Sequence, residues 1–561
     1  MKKVVALLLS MAMVVATFTG CGKGEAASSG DTIVVEVYDE AANIQGTQIG
    51  WFAKVVKDRF NIELNIIAPQ VAGDAVYQTR TTSGNLGDIV LLDPGHFGDC
   101  VKAGLIKDIS AEIKNCKNLM NFDDQISTYN KGLENNAEGK YYGIPCEMTN
   151  TSPTTFSDDV IASSPMLRWD LYDAVGAPDI KDLDGLLDTI KAIQDKFPTN
   201  DAGDPAYGFS LWPDWDNNDG MIGIANVVQL TTWYGEKIKG SAILTADDKF
   251  IKLTDKNGTY YKLLKFLYKA NQMGLVDPDS GTQDWNAACA KMSNGQVYTF
   301  WYNWQVGFWN TTERLADGKG MIFIPVQDQY YYTMSDTYYG SGRVFGVGSQ
   351  CEGEKYERVM QFLDWYASPE GCTFQHAGIE GFNYSLDSEG KFSIMNDNAL
   401  MDNLPVPEEY GGAGYSDGNN AINQWIVSAI STNPNSGEAY GSSHWSSWKK
   451  ATATKTKLEW AARFGADEPA EWMKAHNVML VRPSVSVSLP SDSPDIELIR
   501  NQVGQEVKSA SWQMIFAKDE ADFDAKWDEM TANLDSLGFE DLYKWDVDKY
   551  SVELAAMQAA K

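Results

Sequence analysis

The sequence predicts an α/β fold with a mainly parallel sheet at its N-terminal end, because short β-branched runs alternate with helical segments and glycine turns. Thr32–Tyr38 is the first such run and reads as a buried strand. A helix follows at about residues 50–60, and Ile62–Ala68 forms a second strand. Ser83–Asp88 is a turn, after which Ile89–Leu92 supplies the third strand. Farther on, amphipathic helices dominate, at Leu183–Phe197, Tyr260–Met273, Trp285–Met292 and Tyr356–Ala367. Between residues 400 and 500, loops such as Glu409–Gly414 and Leu489–Pro494 separate polar helical segments, and no topology emerges. Asp519–Lys549 reads as one or two surface helices. No internal repeat of roughly 20–50 residues recurs, which excludes a solenoid.

The N-terminus has the order of an export signal, with Lys2 and Lys3 before an apolar stretch from Val4 to Val15 broken only by Ser10. That stretch is too short to cross a bilayer, which takes roughly 20 apolar residues. It ends in Thr17-Phe18-Thr19-Gly20-Cys21, which resembles the bacterial lipobox, with Phe18 where leucine is usual. The resemblance implies that residues 1–20 are removed and that Cys21 is lipidated, anchoring the chain to the outer face of the cell membrane. The small residues that follow, through Gly30, read as a flexible tether.

Composition narrows the function. At roughly 150 residues per domain, 561 residues suggest three or four domains or two large lobes. The 46 basic side chains face 77 acidic ones, a net charge of −31 that opposes any nucleic-acid role and suits a soluble monomer. An anionic ligand stays open, since a local basic pocket overrides the global field. No second hydrophobic run is long enough to span a membrane. Cys100, Cys116, Cys146, Cys289, Cys351 and Cys372 show no CxxC spacing; Cys100 with Cys116, or Cys351 with Cys372, form disulfides or stay as buried thiols.

Several segments, taken in order, resemble the extracellular solute-binding proteins of family 1, in particular the lipoproteins of Firmicutes sugar importers. They are Ala103–Ile109, Gly139–Pro145, Arg168–Pro178, Gly274–Asp279, the turn Ser293-Asn294-Gly295, Ser368–Gly371, and Gly378–Gly381 with Tyr384. The resemblance implies a two-lobed periplasmic-binding-protein-like fold with a hinge and an extra C-terminal helical region. Its expected divisions are residues 31–145 in lobe 1, 146–320 in lobe 2, 321–390 as return and hinge, and a mainly helical extension over 391–561. Tyr142–Pro145 and Met321–Val326 are the expected crossings. A carbohydrate ligand and ABC permease subunits are the implied partners.

For ligand contacts, Tyr298 to Trp309 holds seven aromatic side chains, and sugars stack their C–H faces on such rings. If 296–304 is a strand, Tyr298, Phe300, Tyr302 and Trp304 share one face while Trp301 and Asn303 share the other. Trp304 is the leading candidate, because the family places a stacking aromatic near this strand's end. The loop Trp212–Asp219 adds Trp212, Trp215 and Asp216; Trp301, Asn303, Tyr339 and Glu380 complete the expected set. Asp214, Asp216 and Asn218 alternate as in a calcium loop, but Asp219 and Ala225 stand where glycine and glutamate are required, so no metal or cofactor is expected. His96, His376, His444 and His476 form no HExxH motif, and neither a Walker loop nor a GxSxG elbow occurs. With 77 acids some carboxylate pair is always available, so glycosidase chemistry has no specific support. The reading is a binding protein, with a surface lipoprotein for peptides or host glycans, or a glycoside hydrolase, as alternatives.

Overall fold

The structure, a computed structural model, describes residues 31–560 apart from 41, 43, 70–74, 135, 137, 218–219, 397–398, 400–401 and 488. The expected export signal, Cys21 and the expected tether lie outside the described residues. Two lobes with separate cores are present.

The first lobe is built on a six-stranded sheet in the order Gly46–Thr47, Ile62–Ile67, Ile33–Asp39, Ile89–Leu92, Val344–Val347, Gly143–Pro145. Ile33–Asp39 pairs in parallel with both its neighbours, and Val344–Val347 runs antiparallel to both Ile89–Leu92 and Gly143–Pro145. Ile89–Leu92 and Val344–Val347 are buried along their whole length, which is why they read as unbroken apolar runs. The helix Gly50–Phe60 covers one face through Trp51, Phe52, Val55 and Val56. It stops at Asn61, whose left-handed φ of 50° lets its N–H close on the Lys57 carbonyl.

The second lobe centres on an antiparallel sheet of Thr299–Tyr302, Ser163–Arg168 and Met321–Phe323. Its core draws on helices Leu183–Lys196, Thr259–Gln272 and Trp285–Ser293, and also on the end of the chain. Helices Pro494–Ile515, Glu520–Ser536 and Phe539–Ala559 bury Val503, Phe523, Trp527 and Leu542 in it, so the expected surface helices are structural members. Buried Asp546 fastens the last helix, accepting from Ser241 N and Oγ at 2.7 Å and pairing with Arg500 at 2.6 Å.

Three sequence expectations need correction. Met321–Val326 is not a crossing, because Met321–Phe323 pairs with Ser163–Arg168 inside the second lobe. Gly143–Pro145 is an edge strand of the first-lobe sheet, and the chain crosses after it. The crossings run through residues 146–162 and 335–343, which bond to each other: Asp336 N to Thr155 O at 2.7 Å and Ser341 N to Cys146 O at 2.9 Å. The region after 391 is not uniformly helical: its described residues to 445 contain no α-helix and pack on the first lobe, whereas the helices from Lys455 onward join the second. All six cysteines of the described residues are free thiols, and five are buried. No helix among the described residues is long and apolar enough to cross a membrane.

One first-lobe group makes stability pH-dependent. His376 closes the helix Pro369–His376, packs 5.4 Å from Trp425, and lies 2.8 Å from the Val427 carbonyl. Burial pushes its pKa from 6.5 down to about 4. The folded state therefore keeps it neutral while the unfolded chain takes up a proton below 6.5. Stability present above pH 6.5 is lost as pH falls toward 4, by roughly 3 kcal/mol for this group. Thermal unfolding of wild type and His376→Gln between pH 7 and 4 should show a shallower pH dependence in the variant; equal slopes would remove His376 as a source.

Candidate functional site

Strand Thr299–Tyr302 ends earlier than the expected strand, because Gln305 folds back and its Oε1 accepts from Trp301 N and Tyr302 N at 3.0 and 2.9 Å. A 3-10 turn over Asn303–Phe308 follows and lifts Trp304 out of the sheet. Trp304 is 45% exposed, a high value for an indole. Tyr302 stacks against it at 5.5 Å, and Trp215 and Trp285 back it at 6.0 and 5.7 Å. Behind them Trp212 and Trp301 stack at 5.4 Å with their planes 7° apart.

The result is an aromatic wall in depth, exposed only at its front. Trp304, Trp215 and Tyr302 line a pocket of about 490 Å³ whose other walls include Met221, Gln229, Thr232 and Lys237. Apolar rings beside an amide, a hydroxyl and an ammonium suit a ligand with C–H faces and hydroxyl edges. Gln229 has a second task, since its Oε1 accepts from Trp301 Nε1 at 2.8 Å.

The expected residues divide by location. Trp304 and Trp215 face the pocket. Trp212 and Trp301, at 0% and 1% exposure, are core: they support the wall and do not reach solvent. Asp216 is also structural, accepting from Ala225 N and from Trp512 Nε1 at 2.8 Å, with Lys508 at 3.6 Å. Burial raises its pKa, partly offset by those donors. Asp214 accepts from Trp285 N at 2.7 Å, so both acids of the imagined calcium loop hold protein groups; Asn218 and Asp219 lie outside the described residues. Asn303 is half-buried and spends its N–H on the Ala162 carbonyl. Tyr339 lies on the second crossing, against Tyr338 at 4.9 Å and lining a different pocket. Glu380 is exposed beside the hairpin Tyr384–Ile394 on the first lobe, with no contact to the aromatic wall among the described residues.

Sequence reading missed a first-lobe cluster at the C-terminal ends of strands Ile33–Asp39 and Ile89–Leu92, the edge where open α/β sheets bind ligands. There Glu40 Oε1 lies 2.7 Å and Asp93 Oδ2 3.0 Å from His96 Nδ1, and the imidazole stacks on Tyr77 at 4.8 Å. The hydrogen bond to Glu40 raises the His96 pKa above its usual value. Asp93 Oδ1 caps the helix Pro94–Lys102. These three side chains bring ligand atoms within 4.8 Å of one another and form a group able to hold a cation, at the cost of the His96 proton. Gln229, Lys237 and Trp285 were missed as well, since nothing in their spacing distinguishes them from any helix or loop residue.

Burial separates scaffold from site experimentally. In ligand-free protein Trp212→Ala should cost about 3–5 kcal/mol, the usual loss for a large aromatic core cavity. Trp304→Ala should cost about 1 kcal/mol or less, because its ring is nearly half in solvent. Urea unfolding of both variants checks this, and a larger loss at Trp304 would return it to the core.

The family model described as bacterial extracellular solute-binding protein matches residues 45–371, more than half the chain. No curated protein matches the sequence. Among solved structures, the ABC-transporter substrate-binding protein FusA of S. pneumoniae, in complex with kestose, is 14% identical with a TM-score of 0.57, covering 94% of this chain and 100% of its own. A human-milk-oligosaccharide (HMO) binding, ABC-transporter-associated solute-binding protein from Bifidobacterium longum infantis is 16% identical, TM-score 0.54, over 94% and 99%. The alginate-binding protein AlgQ2 is 13% identical, TM-score 0.53, over 94% and 100%. At these identities the likeness is one of fold.

Proposed function

Because the chain belongs to the bacterial extracellular solute-binding proteins, we propose that it captures a carbohydrate between its lobes and delivers it to the permease of an ABC importer. The observation that carries this is Trp304, exposed at the mouth of the 490 Å³ pocket and supported by Tyr302, Trp215 and Trp285. A sugar ring stacks on it, while Gln229, Thr232 and Lys237 meet hydroxyls. Glu40 and His96 offer an acceptor and a donor from the first lobe. Residues 146–162 and 335–343 act as the hinge, and closure brings the two walls together. The fold neighbours support the reading, since their names give kestose, milk oligosaccharides and alginate as what they bind. Binding without chemical change is the proposed role, by a monomer held at the outer membrane face through lipid on Cys21.

Thermal shift against mono- and oligosaccharides should find ligands that raise the melting temperature, in proportion to RT ln(1 + [L]/Kd). Small-angle scattering should then show a smaller radius with such a ligand, and chromatography should recover the sugar intact. No shift with any sugar would sink the reading, and shortened products would point to hydrolysis. With a bound sugar, Trp304→Ala should lose about a hundredfold in affinity, from roughly 3 kcal/mol of stacking and buried area. Cys21→Ser should take up no fatty-acid label in cells while wild type does; equal labelling would refute the anchor.

A further inference from the structure

A second pocket, of about 420 Å³, opens where the second crossing meets the first-lobe sheet, bounded by Pro94, Tyr129, Pro145, Tyr339, Arg343 and Ser486. Among the described residues no carboxylate lines it.

Arg343 is the singular group there. Arg59, Arg80, Arg168, Arg358, Arg463, Arg482 and Arg500 each pair with a carboxylate. Arg314 donates to the carbonyls of Ser293 and Trp309 and lies over the Trp309 ring. Among the described residues Arg343 has no such partner, and its Nε is buried without a hydrogen bond. Leaving a guanidinium donor desolvated and unpaired is costly, unless a ligand completes it. The Tyr129 hydroxyl beside the same pocket is likewise buried and unpartnered. Burial raises its pKa, so it remains a donor. Asp93 and Glu134, each next in sequence to a lining residue, are already engaged, Asp93 by Gly95 N, His96 N and His96 Nδ1 and Glu134 by Lys102 at 2.5 Å.

We infer that this pocket receives the carboxylate of a uronic acid residue, so that the captured carbohydrate is an acidic oligosaccharide. A guanidinium fork matches a planar carboxylate with two parallel hydrogen bonds, and the Tyr129 hydroxyl supplies a third donor. The inference rests on the carbohydrate reading above and specifies its ligand class.

The test is calorimetric titration with oligouronates of the glucurono, galacturono and mannurono series, each beside its carboxyl-reduced neutral counterpart, with sodium sulfate as a free anion. Wild type should bind at least one acidic member tenfold or more tightly than its neutral partner. Arg343→Gln should reduce that preference to twofold or less and leave the neutral member unchanged. Tyr129→Phe removes an oxygen that has no partner to lose, and should weaken only the acidic member, severalfold; it decides the matter should Arg343→Gln fail to fold. Neutral sugars binding as well as acidic ones, a preference that survives in Arg343→Gln, or sulfate binding alone would each overturn the inference while bearing separately on the carbohydrate reading. Binding of neither series would overturn both.

Discussion

The cleft depends on one carboxylate in the hinge. Asp336, 4% exposed, accepts from Ser157 N at 2.8 Å, from Ser157 Oγ at 2.7 Å and from Thr151 Oγ1 at 3.1 Å. It thereby ties the outgoing crossing to the returning one. Hydrogen bonds to a charged group contribute roughly 1.5–3 kcal/mol each, so the pair of crossings behaves as one element. The flanking bonds from Ser335 Oγ to Pro153 O and from Thr337 Oγ1 to Glu147 O, both 2.6 Å, extend the same seam. The aromatic wall of the second lobe and the Glu40–His96 edge of the first belong to separate cores, and this seam is the covalent and hydrogen-bonded link between them.

The aromatic wall shows how a binding surface is made from core material. Trp304 could not stand half-exposed without a rigid backing, since a lone indole on a mobile turn would find many orientations. Trp212 and Trp301 supply that rigidity from behind, and Asp216 fixes the loop carrying Trp215 by gripping Trp512 of a C-terminal helix. The site is thus held by residues some 300 positions downstream of those that touch it.

That arrangement explains what was legible in the sequence. The first three strands were, because Ile89–Leu92 is buried along its length and leaves an unbroken apolar run, while Ile33–Asp39 and Ile62–Ile67 set β-branched residues at their buried positions. The helices of the second lobe were, because one apolar stripe repeats along each. Trp304 was marked by an aromatic cluster, yet Trp212 and Trp301 carried the same mark. Core and ligand both reward flat apolar surface, and only tertiary burial tells them apart. Asp216 looked like a ligand contact because its true partner, Trp512, is remote in sequence. The crossings were misplaced at Met321–Val326 because edge strands and hinge strands share composition and differ only in what they pair with. Arg343 carried no signal at all, since its distinction is the absence of a partner that folding gives to every other arginine.

The sequence span of the two cores has a consequence for how the molecule is made. The first draws on residues from Val35 to Tyr440 and the second on residues from Ile161 to Leu542. Neither lobe can close early in synthesis, and contact order this high slows folding even after chain completion. For a chain proposed to cross a membrane before it folds, delay is an advantage. Ile89–Leu92 stays without its antiparallel partner, Val344–Val347, until some 250 further residues have been made. The second lobe waits longer still, because its core needs the final helices through Leu542.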